Sequence, residues 1–258
     1  MSNMISYIAF NKIFILIYII LDWQIGLMKS IDIEKLIVFE NEHLIIVNKP
    51  ASISVHSGSK NEYNLIDLFK KHKNYSKFKN IFLVHRLDKS TSGCLLVAKN
   101  INFLRKMQDV FKNQLIIKEY HTVVYGHTKP EFFVKTSCML LNKYNNKVKS
   151  SNKIVVTKCV TLYNYKCFSL LKVFLLTGKL HQIRIHLAHI GHPIVCDNKY
   201  GNISLNKLFL KYNINSMFLH AKSISFTCPS TRSLIVANVK YDYKIASLIR
   251  VVKSFSFD

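Results

Sequence analysis

Residues 84–98 read Val-His-Arg-Leu-Asp-Lys-Ser-Thr-Ser-Gly-Cys-Leu-Leu-Val-Ala, and this stretch decides how the chain is interpreted. Its polar part, residues 85–93, is enclosed by short apolar runs, which are typical of buried strands. A loop held at both ends by strands is where folds commonly place chemistry, and this one carries a carboxylate, Asp88, between the cations Arg86 and Lys89. An ordinary polar turn with a surface ion pair explains the same residues equally well.

The composition indicates a folded protein with a polyanionic partner. The chain has 258 residues, which suits one large domain or one domain with an appendage, and 49% of them are hydrophobic, which excludes a wholly disordered protein. There are 37 lysines and arginines against 14 aspartates and glutamates, a formal net charge of +23. Such an excess favours nucleic acid over an anionic membrane surface as the partner, although a lysine-rich genome would inflate the charge.

The cysteines and the first 36 residues bear on where the protein works. Six cysteines without C-x-x-C spacing favour free thiols in a reducing, cytoplasmic setting over a disulfide framework or a zinc ribbon. Residues 13–21 are strongly apolar, but nine residues are too few to span a bilayer, which takes about 20. Residues 1–36 are therefore expected to form a non-catalytic apolar extension. The alternatives are a membrane anchor, or upstream sequence before a true start at Met28.

The pattern after residue 36 predicts one strand-rich domain of class α+β, a mostly antiparallel sheet with helices packed on it. No internal repeat or linker interrupts residues 37–258. Alternation and apolar runs predict strands over residues 36–40, 44–48, 118–126 and 168–176. Apolar residues at three- and four-residue spacing predict a helix over residues 101–113, and another helix is predicted to begin at Leu65. Residues 135–153, rich in lysine and asparagine, are predicted to form a mobile β-ribbon.

The second informative stretch covers residues 177–201 and contains four histidines, His181, His186, His189 and His192. They suggest a transition-metal site, but no carboxylate joins them at a useful spacing, so this interpretation is the less favoured one. A strand–turn–helix that delivers Arg184 to a pocket is favoured instead. A buried Asp88 would need a positive partner to remain ionised, and the guanidinium of Arg184 is planar and permanently charged.

Five ordered blocks of the sequence resemble the RluA family of pseudouridine synthases. They are Asn48-Lys49-Pro50 with Val55-His56; His85-Arg86-Leu87-Asp88 with Thr91-Ser92-Gly93; Lys118-Glu119-Tyr120; residues 178–186 (GKLHQIRIH) continuing to Asp197-Asn198-Lys199-Tyr200-Gly201; and Phe218-Leu219-His220-Ala221. The resemblance covers about residues 37–240. Two departures are visible, because Lys179 stands where the family usually has arginine and Cys196 where glycine is common. Lys179 keeps the charge but loses bidentate phosphate recognition.

The resemblance implies the reaction and the residues that perform it. Asp88 is expected to be the catalytic residue, Tyr120 to lie in the active site, and Arg184 to keep Asp88 charged and oriented. RNA binding is expected from His85, Arg86, Lys89, Lys179, His181, Gln182 and His186. The reaction converts uridine to pseudouridine within RNA, and it needs neither a cofactor nor a metal.

The resemblance also implies the architecture and the target. A pseudouridine synthase fold is expected over residues 37–258, with a mixed, mostly antiparallel central sheet, flanking helices and a catalytic cleft across the sheet. The loop that follows Val55 looks most like the RluC branch, which modifies large-subunit (23S) ribosomal RNA. Residues 1–36 are too short and too apolar for the N-terminal RNA-binding module of that branch, so a tRNA target stays open. A catalytically silent RNA-binding protein on the same fold is the other alternative. A monomer without membrane association is expected.

Overall fold

The computed structural model describes residues 31–55, 64–75, 81–137 and 153–254. The chain divides into two compact units, Met1–Lys35 and Leu36–Asp258, and the elements of the site belong to the second. The apolar segment 13–21, the alternative start at Met28 and residues 138–152 of the predicted ribbon lie outside the described residues. Within the described part of the chain, no helix combines the length and the apolar character that a bilayer span requires.

The centre of the domain is a mixed, mostly antiparallel sheet. Its ten strands in the described residues are β1 (Ile37–Glu40), β2 (Leu44–Lys49), β3 (Phe82–Leu83), β4 (Ser92–Ala98), β5 (Ile116–Tyr125), β6 (Glu131–Ser137), β7 (Ile154–Asn164), β8 (Phe168–Leu175), β9 (Leu219–Thr227) and β10 (Leu234–Asn238). The strand order is β1-β2-β4-β9-β5-β8-β7-β6, with β3 paired to β4 and β10 to β9. Of these pairs only β4 with β9 is parallel. The α+β prediction is confirmed.

Five α-helices flank this sheet in the described residues: α1 (Leu65–Lys71), α2 (Ile101–Lys112), α3 (Gln182–His189), α4 (Ile203–Leu210) and α5 (Tyr243–Ser254). A 3-10 turn, Glu34–Leu36, precedes β1. Asparagine side chains cap α1, α2 and α4 by accepting the N–H three residues on, which satisfies a backbone donor that the helix itself cannot. In α2 the apolar residues at helical spacing are buried, as predicted.

Strand β4, which follows the polar loop, begins two residues earlier than its apolar pattern predicts, because Ser92 and Gly93 pair with β9. Gly93 has a φ of +109°, a conformation that side chains with a Cβ rarely adopt. A Cβ there would also lie 2.2 Å from the carbonyl oxygen of Ala221. This close approach joins the loop that carries Asp88 to β9. Since β9 also pairs with β5, the loop comes next to the strand that carries Tyr120.

Candidate active site

A cleft of about 430 Å³ is lined by all three residues that the sequence predicts to be catalytic, Asp88, Tyr120 and Arg184. Five of the seven predicted RNA-binding residues line it as well, namely His85, Arg86, Lys179, His181 and Gln182. Lys89 is exposed beside the cleft, and His186 is fully buried. The loop, the strand and the turn that are far apart in the sequence therefore meet at one cavity.

Arg184 links two carboxylates that are distant in the chain. One of its terminal nitrogens donates to Asp88 Oδ2 at 3.0 Å, while Nε and the other terminal nitrogen donate to Asp197 at 2.8 Å each. Such a two-point contact fixes the plane of the guanidinium, which then presents its remaining edge to Asp88. Side-chain exposure is 18% for Asp88 and 1% for Asp197, so only the first carboxylate is open to the cleft.

The charges of this group are mutually stabilised. Burial opposes ionisation of Asp197, but the hydrogen bonds and charge of Arg184, with the N–H groups of Lys199 and Tyr200, hold its pKa below the ordinary value. Burial also opposes the charge of Arg184, and the two carboxylates outweigh it and raise its pKa. Both groups are therefore charged at neutral pH, and Asp197 holds the arginine in place for Asp88.

The turn before α3 aims Arg184 into the cleft. His181 begins this turn in a left-handed conformation with a φ of 53°. Gln182 is buried and ties the turn to β7, because its Oε1 accepts the Lys179 N–H at 3.1 Å and its Nε2 donates to the Val156 carbonyl at 3.0 Å. The role of Gln182 in the structure is thus to fix the turn, although it also lines the cleft.

His181 lies next to the carboxylate of Asp88. Its Nε2 is 3.6 Å from Asp88 Oδ2, and its Nδ1 hydrogen-bonds to the Tyr200 hydroxyl at 2.8 Å. Burial is the largest influence on this imidazole and lowers its pKa, with Asp88 acting in the opposite direction. His181 is therefore held by Tyr200 at the edge of the group formed by Asp88 and Arg184.

Tyr120 presents a protonated phenol to the cleft. It lies on β5, is 7% exposed, and has its pKa raised first by burial and then by the charge of Asp88. At neutral pH the hydroxyl keeps its proton, so it can donate a hydrogen bond but cannot serve as a phenolate base.

Two predicted RNA-binding histidines are engaged with the protein itself. His85 Nε2 accepts the Leu96 N–H at 3.1 Å, the ring stacks on Phe111, and burial followed by nearby Lys118 lowers its pKa to about 3. His186 is fully buried and its Nε2 is 2.8 Å from the Thr136 hydroxyl. The placement of His186 does not agree with a direct contact to RNA, because α3 packs this side chain against β6.

The departure at Cys196 has a structural consequence. This residue has a φ of 59°, in the left-handed region that favours glycine, and its side chain is buried. Its N–H is held by Asn206 at 2.9 Å, and it precedes Asp197 directly. The strained conformation is thus retained next to the carboxylate that anchors Arg184.

Lys49 supports the loop that carries Asp88, although the sequence motif Asn48-Lys49-Pro50 gave it no role. It is fully buried, and its ammonium lies 3.0 Å from the Pro50 carbonyl, 2.9 Å from that of Ile53 and 3.3 Å from that of Lys89. The last contact ties it to the residue after Asp88. Burial lowers its pKa to about 7, against the charges of Asp88 and Asp242. A lysine at the end of an apolar strand, directly before a proline, is the signal that could have identified it.

We expect Lys49→Met to lower the free energy of unfolding by about 1–3 kcal/mol near pH 7, because buried carbonyls lose their donor. The loss should depend on pH. The folded lysine releases its proton near pH 7 and the unfolded one near 10.5, so over this interval the unfolded chain binds more protons and the group adds stability as pH rises. Urea denaturation at pH 6.5, 7.5 and 8.5 should show that the difference in free energy of unfolding between wild type and Lys49→Met increases as the pH rises. The exposed Lys253→Met is the control, and parallel pH curves would contradict the assignment.

The comparisons with known proteins agree with this geometry. Residues 43–189 match the family model of RNA pseudouridylate synthase. The chain is 31% identical over 230 residues to ribosomal large subunit pseudouridine synthase C of Vibrio vulnificus, which covers 88% of this chain and 72% of that protein. It is 35% identical over 228 residues to the protein of the same name from Buchnera aphidicola subsp. Baizongia pistaciae, which covers 86% of this chain and 71% of that one.

The solved structure titled Human RNA Pseudouridylate Synthase Domain Containing 4 has a TM-score of 0.67 and covers 86% of this chain and 94% of that chain. Its sequence identity of 20% shows the shared fold alone. The predicted pseudouridine synthase fold and the RluA-type resemblance are confirmed. With Asp88, Tyr120 and Arg184 in one cleft and a family model matched over residues 43–189, the chain belongs to the RNA pseudouridylate synthase family.

Proposed function

We propose that this enzyme isomerises uridine to pseudouridine in large-subunit ribosomal RNA, with Asp88 as the catalytic carboxylate. The observation that carries the proposal is the partly exposed carboxylate of Asp88, held at 3.0 Å by an arginine that Asp197 anchors from behind. A carboxylate in this setting is oriented before the substrate arrives. The names of the relatives from Vibrio vulnificus and Buchnera aphidicola support ribosomal RNA over tRNA as the target.

The reaction requires an ionised carboxylate at the ribose, a pocket that retains the detached base, and an acceptor for the proton of C5. The bond between uracil N1 and the ribose C1′ breaks, the base turns, and its C5 forms the new bond to C1′. The hydrogen of C5 leaves as a proton and N1 gains one, so atoms and charge balance without any external group. Asp88 acts on the ribose as a nucleophile or as a base, and Arg184 keeps it charged and oriented. The ring of Tyr120 packs against the uracil and prevents the detached base from escaping.

A uridine inside folded RNA must leave its stack to reach the cleft. Unstacking costs a few kcal/mol, and phosphate contacts made by a basic surface can recover this. Arg86 and Lys179 line the cleft and are exposed, so they are suited to hold the flipped nucleotide and its backbone. His85 and Gln182 support the walls of the cleft through their contacts with Leu96 and Val156.

The remaining parts of the proposal concern the state and place of the enzyme. It acts as a monomer in the cytoplasm, without a metal or a cofactor. The five cysteines described are free thiols, which supports a reducing compartment.

Tritium release from RNA labelled at C5 of uridine tests the proposal, because only formation of the C5–C1′ bond sets this tritium free. We expect release from large-subunit ribosomal RNA and none from bulk tRNA offered separately. Release from tRNA alone would overturn the target while keeping the chemistry. No release from either RNA by a folded protein would overturn the enzymatic proposal and favour a silent RNA-binding protein.

A further inference from the structure

Lys118 is a cation of the cleft that the catalytic arrangement does not use. It lies on β5 two residues before Tyr120, so both side chains project from the same face of the strand, and both line the cleft. The Nζ atom is 5.6 Å from the centroid of the Phe111 ring. On another side, a Cβ at Gly178 would lie 3.5 Å from Nζ, so the glycine leaves the space in front of the ammonium open.

The carboxylates nearest to Lys118 in the chain and in the cleft pair with other residues. Asp88 pairs with Arg184, and the adjacent Glu119 points to the other face of β5, where its Oε1 is 2.9 Å from His121 Nε2 and 3.7 Å from Lys172 Nζ. Among the described residues, no carboxylate lies within 4.0 Å of Lys118 Nζ. The neighbouring His85 is neutral at physiological pH, so it adds no second positive charge beside Lys118.

A half-buried ammonium without a counter-ion favours an anionic ligand. Burial lowers the pKa of Lys118, because the protonated side chain loses part of its hydration among the surrounding residues. Lys179, which follows Gly178, adds a second and exposed cation on the same wall. The uracil and the ribose of a uridine are neutral, so the anionic part of the substrate is the phosphodiester. An ammonium suits phosphate oxygens because it is a compact point charge with rotatable donors.

We propose that Lys118, with Lys179 across Gly178, forms a subsite for a phosphate next to the flipped uridine. This rests on the proposed function and names a substrate contact for it. Lys118 then holds the RNA backbone while Asp88 and Arg184 act on the sugar, so the subsite sets how deeply the nucleotide enters the cleft.

The test compares Lys118→Met with wild type in binding large-subunit ribosomal RNA at several salt concentrations, using the full chain. Each phosphate contact that is lost should make the slope of log K against log salt shallower by roughly 0.7–1. We expect this change and an affinity loss of about tenfold at low salt for Lys118→Met. Lys118→Arg, which keeps the charge, should retain the slope, and the exposed Lys253→Met should match wild type.

The outcomes separate the inference from the function on which it rests. Suppose that wild type releases tritium and that Lys118→Met binds RNA with an unchanged slope of log K against log salt. The phosphate subsite is then contradicted, while the proposed enzymatic activity is retained. Equal losses in Lys118→Met and Lys118→Arg without a change in slope would indicate packing, and would also overturn the subsite. A wild-type protein that neither binds this RNA nor releases tritium would remove both proposals.

Discussion

Asp88→Asn is expected to lower tritium release from C5-labelled RNA by at least about 10³-fold, since removing a catalytic nucleophile can cost up to about 10⁶-fold. Asparagine has nearly the same shape and can still accept the hydrogen bond from Arg184, but it cannot act as a nucleophile or as a base. Asp197 continues to hold Arg184 from the buried side through two contacts of 2.8 Å. The variant should therefore keep its fold and its affinity for RNA while losing turnover.

The measurement is single-turnover tritium release, accompanied by RNA binding and thermal unfolding of the same preparations. The matched control is Asp109→Asn, an exposed aspartate on α2, which should leave all three quantities unchanged. Turnover within tenfold of wild type in Asp88→Asn would place the chemistry on another residue. Loss of RNA binding together with turnover would instead assign Asp88 to substrate binding.

Arg184→Met is expected to destabilise the folded protein by about 3–5 kcal/mol, the usual cost of leaving a buried charge without its partner. The charge that loses its ion-pair partner would be that of Asp197, whose side chain is 1% exposed. Turnover should fall as well, because Asp88 loses the donor that lies 3.0 Å from its Oδ2. Urea denaturation at pH 7 measures the first effect and tritium release the second.

Acidification should narrow the difference in stability between Arg184→Met and wild type. In wild type the arginine keeps the pKa of Asp197 below 3.8, so its stabilisation is present above that value and is lost as pH falls through the lower folded pKa. In the variant, the charge and hydrogen bonds of Arg184 are gone while burial and the N–H groups of Lys199 and Tyr200 remain, so the pKa of Asp197 is higher than in wild type. Protonation of Asp197 therefore relieves the penalty at a higher pH than in wild type.

A double variant isolates the pair. Arg184→Met with Asp197→Asn should recover part of the lost stability, because the amide carries no charge, and the two effects should therefore not add. Full additivity would mean that the arginine stabilises the fold through contacts other than Asp197.

The strands and helices near the site could be predicted because their signals are local. The apolar spacing of α2 and the runs around the polar loop depend only on neighbours within a few residues. The beginning of β4 could not be placed in this way. Ser92 is polar, and its strand conformation comes from pairing with His220, which is 128 residues away in the chain.

The sequence by itself predicted the reaction of this protein and the residues that perform it. The tertiary structure decided how those residues are positioned, buried and charged. The resemblance of the sequence motifs to the RluA family predicted Asp88, Tyr120 and Arg184 as the catalytic residues, because a shared reaction constrains side-chain identity directly, and the structure places all three in one cleft. The charge states of Lys49, Lys118 and Asp197, and the burial of His186, depend on what surrounds each group in space. Desolvation and ion pairing act over a few ångströms between atoms, irrespective of sequence separation, so only the folded chain assigns them.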